Sequence, residues 1–270
     1  MNSGDAWVSI RITLSSMFLV CSKMLWQDEE SQQARFPIMC GRIFDPNEVS
    51  ETKLNPARRR PGDYWIWRIP RRYNVPPTTP IPTMTSKDGV RTVEPMRWGL
   101  IPSWSKDMKG GFSTFNARSD TVDSKPSFRG AWKAGRRCLV LVGGFYEWRR
   151  AGVADKQPFA IAMGNHQIMP LAGLWESWKN PVNGEWLKSC TIITTGPNEL
   201  MEPIHDRMPV ILDEDDWPKW LGEEPTNDNE LKALLKPFPV SRMTAWPVDK
   251  KVGNVRNDWP ELIERAPTQA

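Results

Sequence analysis

Histidine and cysteine are scarce in this chain. Its 270 residues hold two histidines, His166 and His205, and four cysteines, Cys21, Cys40, Cys138 and Cys190. The cysteines stand far apart, with no C-x-x-C pair and no Cys/His grouping at zinc spacing. No metal or other cofactor is therefore expected. A chain of this length buries a core without disulfides, and dispersed thiols fit a reducing compartment. Neither sign of charge dominates: 36 Lys and Arg against 32 Asp and Glu leave +4, too little alone to signal nucleic acid. Long apolar runs are missing too. The stretch 7–21 is too short to span a membrane and is interrupted by Arg11. It also lacks a basic n-region and a small-x-small cleavage site, so it reads poorly as a signal peptide. No repeat, low-complexity tract or linker is visible. One domain over 39–265 is expected, with 1–38 a leader outside it and 266–270 a tail.

What is present is tryptophan, fifteen copies, and 25 prolines. The tryptophans serve either as bulky core or as flat platforms for stacking bases. Arginines cluster at 58–60, 71–72, 136–137 and 149–150, as solvated surface or as phosphate contacts. Proline-punctuated "RRYNVPPTTPIP" (71–82) predicts extended, irregular backbone. Residues 90–101 alternate like one or two strands, and 102–121 form a polar loop with a Gly-Gly hinge. Residues 127–135 fit a short helix ending on Gly135. The strongest strands are 137–148, 157–163, 168–178 and 189–195, all apolar and bounded by turn-formers. Helix-starting signals open 196–207, and 208–212 reads as a strand. Asp213 caps a helix at 214–221, a second helix runs near 228–235, and 243–248 is a last strand. Clustered antiparallel strands with few helices predict an α+β fold, its sheet curled or barrel-like.

Several polar residues interrupt this apolar pattern. Glu147 ends a buried strand, where a carboxylate is costly unless paired. Arg149, Arg150 or solvent would satisfy it, and a proton-transfer role stays open. His205 lies between a helix signal and a strand, beside Asp206 and Arg207, and Asn116 and Arg118 fall in "FNARSD". Structural hydrogen bonding and turn chemistry account for each equally well. Cys40, in "PIMCGR", changes that weighing. If Met39 begins the chain, removal of the methionine gives Cys40 a thiol and an α-amine on adjacent carbons. An α-amine with a pKa near 7.7–8.0 is substantially neutral at pH 7, unlike a lysine. Such an aminothiol condenses with an aldehyde: the amine forms a Schiff base and the thiol closes a thiazolidine. A carboxylate or imidazole must then move protons.

The segments "MCGR" (39–42), "RYNVPP" (72–77), "RWGLIPSW" (97–104), "FNARSDT" (115–121), "GGFYEW" (143–148), "IHDRMPVIL" (204–212) and "VGNVRND" (252–258) occur together, in this order. In this the chain resembles the SRAP family of abasic-site processing proteins, over essentially all of 39–258. The resemblance implies that fold and a monomer that binds single-stranded DNA, and single-strand/duplex junctions, at abasic sites. It implies a covalent thiazolidine crosslink between Cys40 and the ring-opened sugar, with autoproteolytic exposure of the cysteine and an AP-lyase side activity. Asn116 would position cysteine and sugar, Glu147 would move protons at the amine, and His205 would assist Schiff-base formation, ring opening and reversal. Arg42 and Arg118 fall where relatives contact phosphates, Trp104 matches a base-stacking aromatic, and Asn74 and Thr195 are further DNA contacts. Many relatives carry a second aromatic where this chain has Ser105. The implied location is cytoplasmic, at the nucleoid in a bacterium. Residues 1–38 depart from the pattern, because behind them Cys40 has an amide rather than an amine. Met39 is therefore expected to be the physiological start, or the leader to be removed.

A glutaminase-like hydrolase is the alternative, because such domains also begin Met-Cys-Gly and use the free amine as a base. It leaves Asn116, Glu147 and His205 unexplained.

Overall fold

A computed structural model describes residues 41–45, 71–151 and 155–267, all within the unit Met39–Ala270. The expected leader, Cys40 and the arginines at 58–60 lie outside the described residues. Twelve strands run in chain order: β1 (Ile43–Asp45), β2 (Arg72–Val75), β3 (Pro80–Lys87), β4 (Val90–Trp98), β5 (Asn116–Arg118), β6 (Arg137–Val142), β7 (Gly144–Ala151), β8 (Asp155–Met163), β9 (Met169–Lys179), β10 (Trp186–Thr195), β11 (Met208–Pro209) and β12 (Met243–Pro247). Among the described residues three α-helices accompany them, α1 (Pro126–Lys133), α2 (Trp217–Leu221) and α3 (Asp228–Ala233). The α+β expectation holds, but the strands form two sheets rather than one.

The first sheet is a closed barrel. Its strands follow the order β10-β4-β3-β6-β9, and β9 pairs back onto β10 from Trp186↔Lys179 to Ile192↔Gly173, which leaves the ring no free edge. Most of its pairs are antiparallel, but β4 and β5 both run parallel to β10. The second sheet is open and antiparallel, in the order β12-β8-β7-β1-β2.

Alternation along the strands sorts the core into three layers. Cys138, Val140 and Val142 of β6 join Ile81, Trp98, Cys190 and Ile192 inside the barrel. The Thr83 hydroxyl lies 3.6 Å from the Cys190 sulfur there. That layer continues onto the inner face of the open sheet through Ile43, Val75, Phe145 and Ile161. Leu139, Leu141, Ala172 and Ile193 face the other way and are covered by Phe128 and Trp132 of α1, Trp217 and Trp220 of α2, and Leu231 of α3. The outer face of the open sheet, with Phe44, Tyr146 and Ala160, packs under Val248, Val252 and Leu262 from the C-terminal segment.

Local details depart from the sequence pattern. The run 137–148 is two strands, not one: β6 belongs to the barrel and β7 to the open sheet, with the transfer at Gly143. Gly144 makes the transfer sterically feasible, because a Cβ there would sit 2.2 Å from the Ile161 carbonyl oxygen and 2.4 Å from the Phe44 ring. The stretch 71–82, expected to be irregular, contains β2 and the start of β3. Pro80 and Pro82 are tolerated because β3 meets β6 only at Thr83 and Met84, so neither proline's missing N–H breaks a ladder on that side. No helix forms at 196–207. The Asn198 side chain instead accepts from the Met201 amide and donates to the Phe238 carbonyl, which holds a series of turns. The strand expected at 208–212 shortens to β11 plus a single bridge from Ile211 to Leu171. The helix expected at 214–221 begins as a 3-10 turn over Glu214–Asp216 before α2.

Candidate active site

Glu147 sits on β7, two residues beyond Phe145, so it shares the inner face of the open sheet. It is 1 % exposed, one of three acids buried among the described residues, with Glu176 at 3 % and Asp45 at 4 %. The strand beside it leads toward Cys40. Ile43 of β1 pairs with Phe145, and the Tyr146 amide donates to the Arg42 carbonyl at 2.9 Å. Gly41, one residue further back, is also buried. The covalent bond from Gly41 to Cys40 keeps their Cα atoms about 3.8 Å apart. Continuing the register from Ile43↔Phe145, Gly41 falls opposite Glu147, so the chain enters the described fold beside it; β7 runs on to Ala151, and Glu147 lies midway along the strand rather than at its end as expected.

Asn116 opens β5 opposite Ile192 of β10, so it faces the same layer as Ile192, while Ala117 faces the helices. Phe115 before it is held by its carbonyl, which accepts from the Trp98 indole at 2.9 Å. His205 follows Ile204, a member of that same core layer. The imidazole Nδ1 lies 2.9 Å from the Asp206 carboxylate and 3.2 Å from the Arg207 amide. When Nδ1 accepts from the Arg207 amide, a neutral ring carries its proton on Nε2; when Nδ1–H instead donates to Asp206, Nε2 is an acceptor. By strand alternation Glu147 and Asn116 face the layer shared by barrel and open sheet, and His205 is the chain neighbour of Ile204, a member of that layer.

The expected DNA contacts divide into exposed and buried groups. Trp104 is 68 % exposed, in a loop with Met108 and Phe112 that also show large apolar surface. That loop is pinned: Trp178 donates its indole to the Ser105 carbonyl, and Gly99, at φ +126°, lets the Gly111 backbone approach where a Cβ would clash. Arg118 is exposed at the end of β5. Asn74 and Thr195 are buried and already engaged. The Asn74 amide donates to the carbonyls of Val252, Asn254 and Asn257, and the Thr195 hydroxyl donates to the Leu235 carbonyl. Arg42 is half-buried; its guanidinium donates to Asn74 Oδ1 at 2.9 Å and to the Val252 carbonyl at 3.1 Å. Burial lowers its pKa to about 10, which leaves it charged at neutral pH.

Sequence reasoning missed the residues that support these groups. Asp258 accepts from Arg72 Nε and from the amides of Tyr73 and Asn74, fastening the C-terminal segment to β2. Asp120 grips Arg118. Its signal was readable, an acid two residues after an arginine at a strand end.

Residues 39–255 match the family model for SOS response associated peptidase (SRAP), and the chain belongs to this family. It is 43% identical over 192 residues to the abasic site processing protein YoqW of Bacillus subtilis, covering 71% of this chain and 85% of the relative. The abasic site processing protein HMCES of Xenopus tropicalis is 38% identical over 265 residues, covering 83% of this chain and 78% of the relative. A crystal structure of a protein from Bacteroides thetaiotaomicron superposes with a TM-score of 0.64 at 34% identity, over 72% of this chain and 85% of that one. Among the described residues no helix is long and apolar enough to cross a membrane.

Proposed function

We propose that this protein processes abasic sites by binding single-stranded DNA, including junctions with duplex, and capturing the lesion covalently through Cys40. The observation that carries the reading is Glu147: a carboxylate buried beside the strand that continues into Cys40, in a chain whose relatives are named for abasic sites. In the proposed reaction the Cys40 α-amine adds to the aldehyde carbon of the open sugar. Glu147 takes the amine proton, and water leaves to give the Schiff base. The Cys40 thiol then adds to the imine carbon, its proton passes to the nitrogen, and the thiazolidine closes with one water lost overall. His205 Nε2 donates to the sugar oxygen during ring opening, and Asn116 holds the cysteine and the sugar in register. Arg42 and Arg118 contact phosphates beside the lesion, and Trp104 stacks on a base. Asn74 and Thr195, given their burial, act by supporting that surface.

The working form has a free amine on Cys40, so residues 1–39 are absent from it, by initiation at Met39 or by cleavage. Self-cleavage ahead of Cys40 would use the same groups. Where the thiol fails to close, loss of the adjacent C2′ proton from the Schiff base expels the 3′ phosphate, which is the lyase reaction. The protein acts as a monomer in the compartment that holds its DNA, the cytoplasm and nucleoid of a bacterium. Intact-mass measurement of crosslink-competent protein tests the start: it should begin at Cys40, and a competent chain retaining residues ahead of Cys40 contradicts the mechanism. Glutamine should yield no ammonia, which separates this reading from the amidohydrolase one.

A further inference from the structure

Arg118 is the exposed cation at the edge of the site, and it already holds an anion. Its Nε lies 3.0 Å from Asp120 Oδ1 and its Nη2 lies 2.6 Å from Oδ2. This two-pronged grip is the geometry a guanidinium offers a phosphate. Both side chains are more than half exposed, at 58% and 52%. Such a pair contributes little to folding. The turn that bears Asp120 is fixed, because the Ser119 amide donates to Thr194 and the Thr121 amide donates to Arg118. Asp206 lies close enough to act on the Arg118 charge. Arg207 nearby is buried and spends Nε and Nη2 on Thr194. Beside His205 the exposed rim therefore presents Arg118 with Asp120 and Asp206, while the Arg207 charge lies buried behind it.

We propose that Asp120 is a built-in competitor for the phosphate that Arg118 binds, a role that rests on the reading of Arg118 as a phosphate contact. In the DNA-free protein Asp120 fills the guanidinium fork. A phosphate takes Nε and Nη2 only by sending Asp120 into water, which a side-chain rotation accomplishes without moving the strand. The exchange sets a threshold. A lone phosphate or a glancing strand gains little, whereas DNA seated at several contacts at once displaces the carboxylate. Salt dependence records the same exchange, because the cation released from DNA at this contact is offset by a cation drawn to the freed carboxylate.

The test uses the protein beginning at Cys40, the working form proposed above and within the compact unit Met39–Ala270, and a single-stranded oligonucleotide with a tetrahydrofuran abasic analogue, which has no aldehyde, so that only reversible binding is read. Anisotropy titrations across a salt series compare the wild type with D120N, R118Q and the double variant. D120N should bind roughly threefold tighter, within the range exposed ion pairs show. Its slope of log affinity against log salt should steepen by about 0.7, one single-strand phosphate contact. R118Q should weaken binding, and D120N should give no gain on top of it. If D120N binds no tighter while R118Q still weakens binding, the competitor role is overturned and the phosphate contact stands. Equal tightening in both backgrounds also overturns it, because it marks a general charge effect. If R118Q binds like the wild type, the phosphate reading itself fails.

Discussion

Glu147 and its neighbours carry the largest effects expected from single substitutions. General acid–base groups typically contribute factors of a hundred or more. E147Q should slow crosslink formation to an abasic oligonucleotide by roughly 100-fold, measured by quenched time courses, while reversible binding stays within about twofold. H205A should slow the same step and its reversal, because one imidazole serves both directions. Two of the remaining three cysteines, both in the barrel, are predicted to be inert. Cys138 and Cys190 are buried in the barrel, where burial raises both thiols, Cys190 to about 12. Both therefore stay protonated at neutral pH. Iodoacetamide should leave them unlabelled in the native protein and label both in denaturant, as read by peptide mapping.

At the scale of elements, the turn between β6 and β7 decides the architecture. The apolar run reads as one strand through 137–148 because both faces of each half are buried, which hides a slip in phase: the inward positions are 138, 140 and 142 in β6 but 145 in β7. What the pattern cannot carry is the transfer from barrel to open sheet, and only the Gly-Gly pair hints at it. G144A forces a Cβ against the Ile161 carbonyl and the Phe44 ring. It should cost about 1–3 kcal/mol, seen as a lowered Tm. β5 escaped notice for another reason. Three residues show no periodicity, and their pairing partner, β10, lies more than seventy residues on. The helix signals at 196–207 misled because Asn198 caps turns as readily as helices. By contrast β8, β9, β10 and β12 were legible within a few residues, being long or strongly apolar, and the helix expected near 228–235 is α3, which the structure shows opening on a capping box of Asn227 and Glu230.

For the whole molecule, the site depends on contacts that bring the two ends of the domain together. Glu147, Asn116 and His205 were legible as a family pattern, but their placement on β7 of the open sheet, on β5 beside β10 and in the turns before β11 was not, since it follows from how the strands sort into two sheets. Nor was the burial of Asn74, whose amide serves the distant 252–257 segment. Asp258 completes that fastening. D258A removes the acceptor for Arg72 Nε and for two backbone amides, and should cost about 2 kcal/mol. A thermal melt reads that loss, and the crosslinking rate should fall with it, because β1 and β2 carry the strand next to Cys40.

The central claim is that Cys40, once its amine is free, forms the bond to the lesion. Protein beginning at Cys40 should be mixed with single-stranded DNA bearing one abasic aldehyde, resolved on a denaturing gel, and the adduct weighed intact. The account predicts a species whose mass is protein plus DNA minus one water, absent with undamaged DNA and absent for Cys40→Ala. An adduct that persists in Cys40→Ala, or no adduct with the free-amine wild type, contradicts it.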